Sequence, residues 1–419
     1  MKEAETDTSG FSFGDWLYLG EGRVGLIRRL TALCCLPSLL LVWTWSRGVG
    51  GPYIVPAWRF GDTFLAPPLP PAPFNAFIFI LTAASCLWLC LGGKKKIFVL
   101  LPTLVLAYYC SVERVAFMCH FVVMIFIYMV ALCFHHEKSR SATRRIIQLA
   151  VAGCYGFAVL GRLTSPTHLS GLSFKYAVGT GWAANHLFVD FYKYLGSIDW
   201  IWMPFSLLVI VLEIFLCLGF FFKKTRKIAF VLGVLLHVGI AVTLTESLII
   251  YSLIMITGYL AFFDGKDSAE PEAKPPRLET ALAVAFLVLM AVIPLRIYFY
   301  PGRPASTLCL TDKEPWTFHM FMLKQDTIDV DVRFKDEKGT WHKVPITGRM
   351  QYTSADSDLH SMIAYLFRTH PEARTVEAKI KLKLNNWYQY KKASAERGGK
   401  IRIRVTNEWP SEHLPYSSR

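Results

Sequence analysis

Four ionisable side chains stand where an apolar chain has little use for them. They are His120 in "RVAFMCHFVVMIF", Arg162 in "AVLGRLTSP", Glu213 in "LLVIVLEIFLCLG" and His237 in "VLGVLLHVGIAV". A charge at bilayer depth costs about 3 kcal/mol on insertion scales, so each is a candidate for function. Neutral imidazole polarises a carbonyl or shuttles a proton. His120 suits either task, or a plain hydrogen bond to a neighbouring helix. Glu213 lies mid-run, where an ionised carboxylate needs a partner. Only "KKTRK" separates its run from that of His237. The two runs are therefore expected to pack antiparallel with both groups at one depth. A Glu213–His237 pair would satisfy both, as a buried clamp or as a proton relay. Arg162 closes its run just before Pro166. Its fixed cation suits an anion such as a carboxylate or phosphate headgroup, or else it snorkels to the outer interface.

The elements that must position these groups are apolar runs. The chain of 419 residues is 53% hydrophobic and 14% aromatic, with mean hydropathy +0.36. Nine runs read as spans, at 25–45, 74–92, 97–112, 115–134, 145–163, 200–222, 227–244, 246–264 and 279–299. Each comes near the ~20 residues that cross a bilayer. The net charge of +14 is gathered largely in short loops. Alternate loops hold 18 lysines and arginines against 6 in the other set, which places the N-terminus in the cytoplasm and residues 300–419 outside or in a lumen. That distribution sets topology and argues against a nucleic-acid partner; membrane lipids are the expected surroundings, in a plasma, inner or ER membrane.

Three regions follow. Residues 1–24 are polar, with no cleavable signal, and "FSFGDWLYLG" suits either the headgroup layer or a disordered leader. Residues 25–299 form the bundle. Residues 300–419 change period: "IDVDVRF", a "KDEKG" turn and "TWHKVPI" read as a hairpin. "DSDLHSMIAYLFRTH" reads as an amphipathic helix buried on Leu359, Met362, Ile363 and Leu366. "VEAKIKLKLNNWYQY" and "KIRIRV" read as strands with their cations in water. The fold class is an all-α polytopic bundle of about nine transmembrane helices, followed by a small α+β extramembrane domain. The loop 163–199 is too apolar for a solvated linker and is expected to form interfacial or re-entrant helices covering a cavity. Nine of the ten cysteines fall inside apolar runs, as packing residues rather than metal ligands, and no metal is expected. His135 and His136 read as solvated.

Several stretches together resemble the vitamin K-dependent γ-carboxylase and its bacterial relatives, the horizontally transferred transmembrane family. They are "GRLTSPTHLSG", "LEIFLCLGFFFKKTRKIAF", "LLHVGIAVTLTESLIIYSLIMITGYLAFFD" and "EPWTFHMFMLKQDTIDVDVRFKDEKG". The resemblance implies oxidation of a lipid-soluble hydroquinone, vitamin K hydroquinone or another lipid quinone, by O₂. The base so formed takes a proton from a peptide glutamate, and the carbanion adds CO₂. It places the family's catalytic lysine at Arg162, its carbanion-assisting histidine at His120, and its other buried polar positions at Glu213 and His237. Arg162 and Lys175 are the implied cofactor-holding groups, with Lys175 the substitute base. A buried lysine can shed its proton, whereas a guanidinium cannot. Two functions follow: carboxylation of a peptide or protein on the outer side, or a member that has left carboxylation and serves peptide or toxin maturation or binds a quinone or lipid. A secondary transporter ranks last, since the chain shows no inverted repeat.

Overall fold

The computed structural model describes residues 23–46, 58–60, 63–65, 70–112, 120–135, 141–163, 166–179, 189–243, 247–263, 277–295, 325–346, 350, 356–384 and 387–408. The interfacial reading of residues 1–22, the loop groups Glu113, Arg114, His136 and Glu246, and Cys309 lie outside them.

Apolar helices occupy the nine segments read as spans: α1 Arg23–Ser46, α2 Ala72–Cys90, α3 Ile97–Val112, α4 His120–Cys133, α5 Ser141–Leu163, α9 Trp202–Gly219, α10 Arg226–Thr243, α11 Ser247–Tyr259 and α12 Arg277–Leu295. The expectation of nine full spans is not met. Among the described residues, 4 helices are long and apolar enough to cross a membrane: Arg23–Thr44, Pro73–Cys90, Ala142–Leu163 and Trp202–Gly219. Others are shorter; α3 has 16 residues, which at 1.5 Å per residue reaches only about 24 Å. Apolar composition marks where a helix lies, while its ends are set by turns that composition does not encode.

Helix α4 sits at the centre. Ten of its 14 residues are buried, all round the helix, as befits a segment with no polar face. Helices α1, α3, α5 and α11 pack on it. Towards the outside, α2, α9, α10 and α12 expose large apolar side chains such as Phe77, Ile80, Leu208, Val211, Leu235 and Val288. A belt of that extent belongs against lipid. Close approach inside the bundle depends on small residues. A Cβ added at Gly258 would stand 1.8 Å from the Tyr128 hydroxyl and 2.6 Å from Val151, so α11, α4 and α5 meet there through a missing side chain. His135, expected in water, is fully buried at the end of α4.

Between α5 and α9 come three short helices, α6 Pro166–Leu169, α7 Leu172–Gly179 and α8 Val189–Gly196. The apolar loop is thus helical in its described parts. The segment 58–65 adds a two-stranded ribbon, β1 Trp58–Phe60 with β2 Thr63–Leu65.

The C-terminal region is a 5-stranded antiparallel sheet in the order β4-β3-β5-β6-β7, built from β3 Gln325–Asp336, β4 Trp341–Lys343, β5 Ala373–Leu384, β6 Trp387–Glu396 and β7 Arg402–Glu408. The expected hairpin is β3–β4, turning at Gly339 with φ 87°. The expected helix is α13 Asp356–Thr369, which buries Leu359, Met362, Ile363 and Leu366 against Val332, Ile380 and Leu382. Arg333 donates to the Glu377 carboxylate at 2.8 Å across β3 and β5. That bond is the main reason the Glu377 carboxyl is held below the usual range.

Two outcomes follow. Gly258→Ala should lower the thermal midpoint in detergent, at an overpacking cost of about 1–3 kcal/mol. An unchanged melt would refute the three-helix contact. For Glu377, a folded pKa below the unfolded one gives a stabilisation present above the ordinary glutamate value of about 4.3 and lost as pH falls through the folded pKa. In Glu377→Gln, hydrogen exchange of β3 and β5, corrected for the intrinsic rate, should therefore lose part of its acid sensitivity.

Candidate functional site

Helix α5 turns Cys154, Tyr155, Ala158, Val159 and Arg162 inward, a stripe at helical spacing. Helix α9 buries Trp202, Ser206, Val209, Ile210, Glu213 and Leu216. The two stripes face each other antiparallel. The Cys217 thiol reaches the Ala152 carbonyl at 3.3 Å, and nearer the start of α9 Ser206 donates its hydroxyl to the His168 carbonyl. Between these two rungs, Arg162 reaches Glu213. Its Nε donates to Oε2 at 2.8 Å and its Nη2 to Oε1 at 3.0 Å. Arg162 is 3% exposed and Glu213 1%, so this is a two-pronged ion pair out of reach of water.

The partner of Glu213 is thus Arg162, not His237. Helix α9 rotates Glu213 towards α5, and the long guanidinium side chain spans the remaining gap with a planar fork that matches a carboxylate. The pair is neutral as a whole. Arg162 has one nitrogen over: Nη1 is buried without a hydrogen-bond partner among the described residues. The guanidinium lies 5.1 Å from the Phe174 ring centroid. Phe174 meets Phe205 edge-on at 5.2 Å, and Phe205 meets Trp202 at 6.1 Å. The Trp202 indole Nε1 is also buried without a partner among the described residues. Phe174, Phe205 and Trp202 thus form a chain of ring contacts where α5 ends and α9 begins, with two N–H donors there unspent among the described residues.

Residues 166–173 lie against the start of α9. Ser173 and His168 bond at 3.3 Å. Gly171 has φ +80°, and a Cβ there would stand 2.2 Å from the Trp202 carbonyl carbon. Only glycine fits both the left-handed turn and the contact.

His237 belongs to a second, deeper cluster. Tyr155, two turns before Arg162 on α5, bonds its Nε2 at 2.9 Å, and Tyr155 also shares a short hydrogen bond with Tyr259. Ser252 donates to the His237 carbonyl at 2.9 Å, and the Cys154 thiol and Tyr251 hydroxyl meet at 3.3 Å. His120 is the half-buried first residue of α4. The described contacts of Arg162, Glu213 and His237 do not include it. Lys175 lies on helix α7, and its ammonium is ion-paired with Asp199, whose side chain is 80% exposed. It faces a surface carboxylate.

The structure therefore brings together Arg162 and Glu213, and places His237, His120 and Lys175 elsewhere. Sequence reasoning missed Trp202, Phe174, Tyr155, Tyr251 and Tyr259. A signal was available, since a tyrosine or tryptophan inside an apolar run needs a partner for its polar end. The spacing of seven from Tyr155 to Arg162 also puts both on one helix face. Among the described residues no group of three or more His, Cys, Asp or Glu could hold a metal. No known family, no curated protein and no solved structure matches the chain.

Removing one partner of a buried pair strands the other charge and costs about 3–5 kcal/mol, whereas replacing both by apolar groups is close to neutral. Arg162→Leu and Glu213→Leu should each depress the detergent melt strongly, and the double variant should recover most of the loss. Additive damage would show that the two side chains do not form one pair.

Proposed function

We propose that this is a multi-span membrane protein of the horizontally transferred transmembrane kind that holds a lipid-soluble quinone in the α5–α9 seam and does not carboxylate. The observation that carries the reading is the Arg162–Glu213 fork with Nη1 left over. Glu213 already supplies the anion that a free guanidinium would recruit, so a quinolate or phosphate gains little there. A neutral acceptor gains more: quinone carbonyls can take the Nη1–H and the Trp202 Nε1–H, and Phe174 and Phe205 can flank the ring. A guanidinium stays protonated and cannot act as the base that hydroquinone oxidation asks of the family's lysine. Lys175 is engaged by Asp199, which weakens it as a substitute. The loop charges support a cytoplasmic N-terminus and a C-terminal sheet domain on the opposite side. The shorter apolar helices would complete an odd number of crossings, nine in the fullest count.

Menaquinone-4 should quench the intrinsic fluorescence of the purified protein saturably. Trp202→Phe keeps the apolar wall and removes one donor, so it should weaken binding about tenfold, the equivalent of ~1.4 kcal/mol for one hydrogen bond; the fluorophore lost with it makes native mass spectrometry of the bound quinone the deciding readout. Equal occupancy in wild type, Trp202→Phe and the Arg162→Leu/Glu213→Leu double variant would overturn the reading. Labelled bicarbonate entering a glutamate-rich peptide in the presence of vitamin K hydroquinone would refute the non-carboxylating half of it.

A further inference from the structure

The C-terminal sheet carries its one described helix, α13, on one face, where Val332, Val376, Ala378, Ile380, Leu382, Ala393 and the helix form the core. Among the described residues nothing covers the opposite face, and several of its charges are arranged against the sheet's own stability. Lys379 on β5 stands directly opposite Lys392 on β6, and Lys392 directly opposite Arg404 on β7. Like charges in facing positions are unfavourable in an isolated sheet. Strands lie about 4.8 Å apart, so three cations fall in line across the face, and all three side chains are exposed. One residue pair further along, Arg402 adds a fourth opposite Ser394.

The counter-charges are few and committed. Asp331 flanks the row beyond Lys379 and lies 3.8 Å from Lys343. Glu377, in reach of Lys379 and Lys392, is held by Arg333. Asp329 faces Lys381 from β3. Glu396 and Glu408 close the ends of β6 and β7, where Glu408 accepts from the Tyr390 hydroxyl at 2.8 Å. Two tyrosines are set among the cations: the Lys381 ammonium lies 4.6 Å from the Tyr388 ring centroid and 5.4 Å from that of Tyr390. Aligned cations with interleaved tyrosines match a surface of negative headgroups over an apolar layer, since tyrosine is at home at that boundary. The strand β3 begins at Gln325, and the last apolar helix ends at Leu295. A linker of that length keeps the bilayer at high effective concentration for the sheet.

We propose that the helix-free face of the sheet docks on anionic lipid headgroups of the bilayer that holds the chain's own helices. Nucleic acid and acidic peptides share part of this chemistry. The membrane is favoured because the domain is tethered beside it, and the quinone site plays no part in the argument.

The test uses the full chain in nanodiscs of phosphatidylcholine, with and without phosphatidylglycerol, labelled with an amine-acetylating reagent and read by mass spectrometry. Both leaflets carry the anionic lipid, so orientation does not matter. Lys379 and Lys392 should label several-fold more slowly in the anionic discs, and the slowing should fade as salt screens it. Lys338, in the β3–β4 turn, is exposed and serves as the reference that should not change. Lys392→Gln/Arg404→Gln should abolish the protection of Lys379 while Lys391, 1% exposed on β6, stays unlabelled and so reports the fold intact. Equal labelling of Lys379 in both discs overturns the proposal. So does protection that appears in neutral discs only when a single-stranded oligonucleotide or a polyglutamate peptide is added.

Discussion

A guanidinium and a carboxylate, both withdrawn from water, fix how α5 lies against α9. Two charges buried in an apolar bundle are tolerable only when each meets the other in good geometry, and the fork of Arg162 on Glu213 meets that demand with two hydrogen bonds. The requirement pins the depth of both helices at once. Everything around it adjusts: Cys217 against Ala152 on one side, Ser206 against the His168 carbonyl on the other. Phe174 then stands beside the guanidinium, with Phe205 and Trp202 following it ring to ring.

The two parts of the chain solve opposite problems. In the bundle, apolar surface is turned outward and the polar groups inward, where Tyr155, Tyr259 and His237 satisfy one another. In the sheet domain, the apolar side chains are turned in and most cations out, the buried Lys391 excepted. Where that domain departs from an ordinary wet face is in setting lysines and arginine against each other across three strands.

Much of this was legible in the residues. The period of two in "IDVDVRF" and the helical spacing of Leu359, Met362, Ile363 and Leu366 are local patterns, and they placed β3 and α13 correctly. The apolar runs located the helices for the same reason, although not their lengths. Partner choice was not legible. Glu213 sits at the depth of His237 in any antiparallel pair, but which side of α9 faces which neighbour is a property of the assembled bundle. The reach of Arg162, a long side chain from a helix end, decided it. The buried tyrosines escaped notice because each lies in an apolar run that reads as uniform, and His135 because a position just past a helix end does not reveal whether the chain beyond folds over it.

The left-handed turn at Gly171 ties the chain after α5 to the start of α9. Backbone rests on backbone there, with no room for even a methyl group against Trp202. A junction made of main chain has no rotamer to change, so that corner of the seam keeps one spacing whatever the side chains around it do.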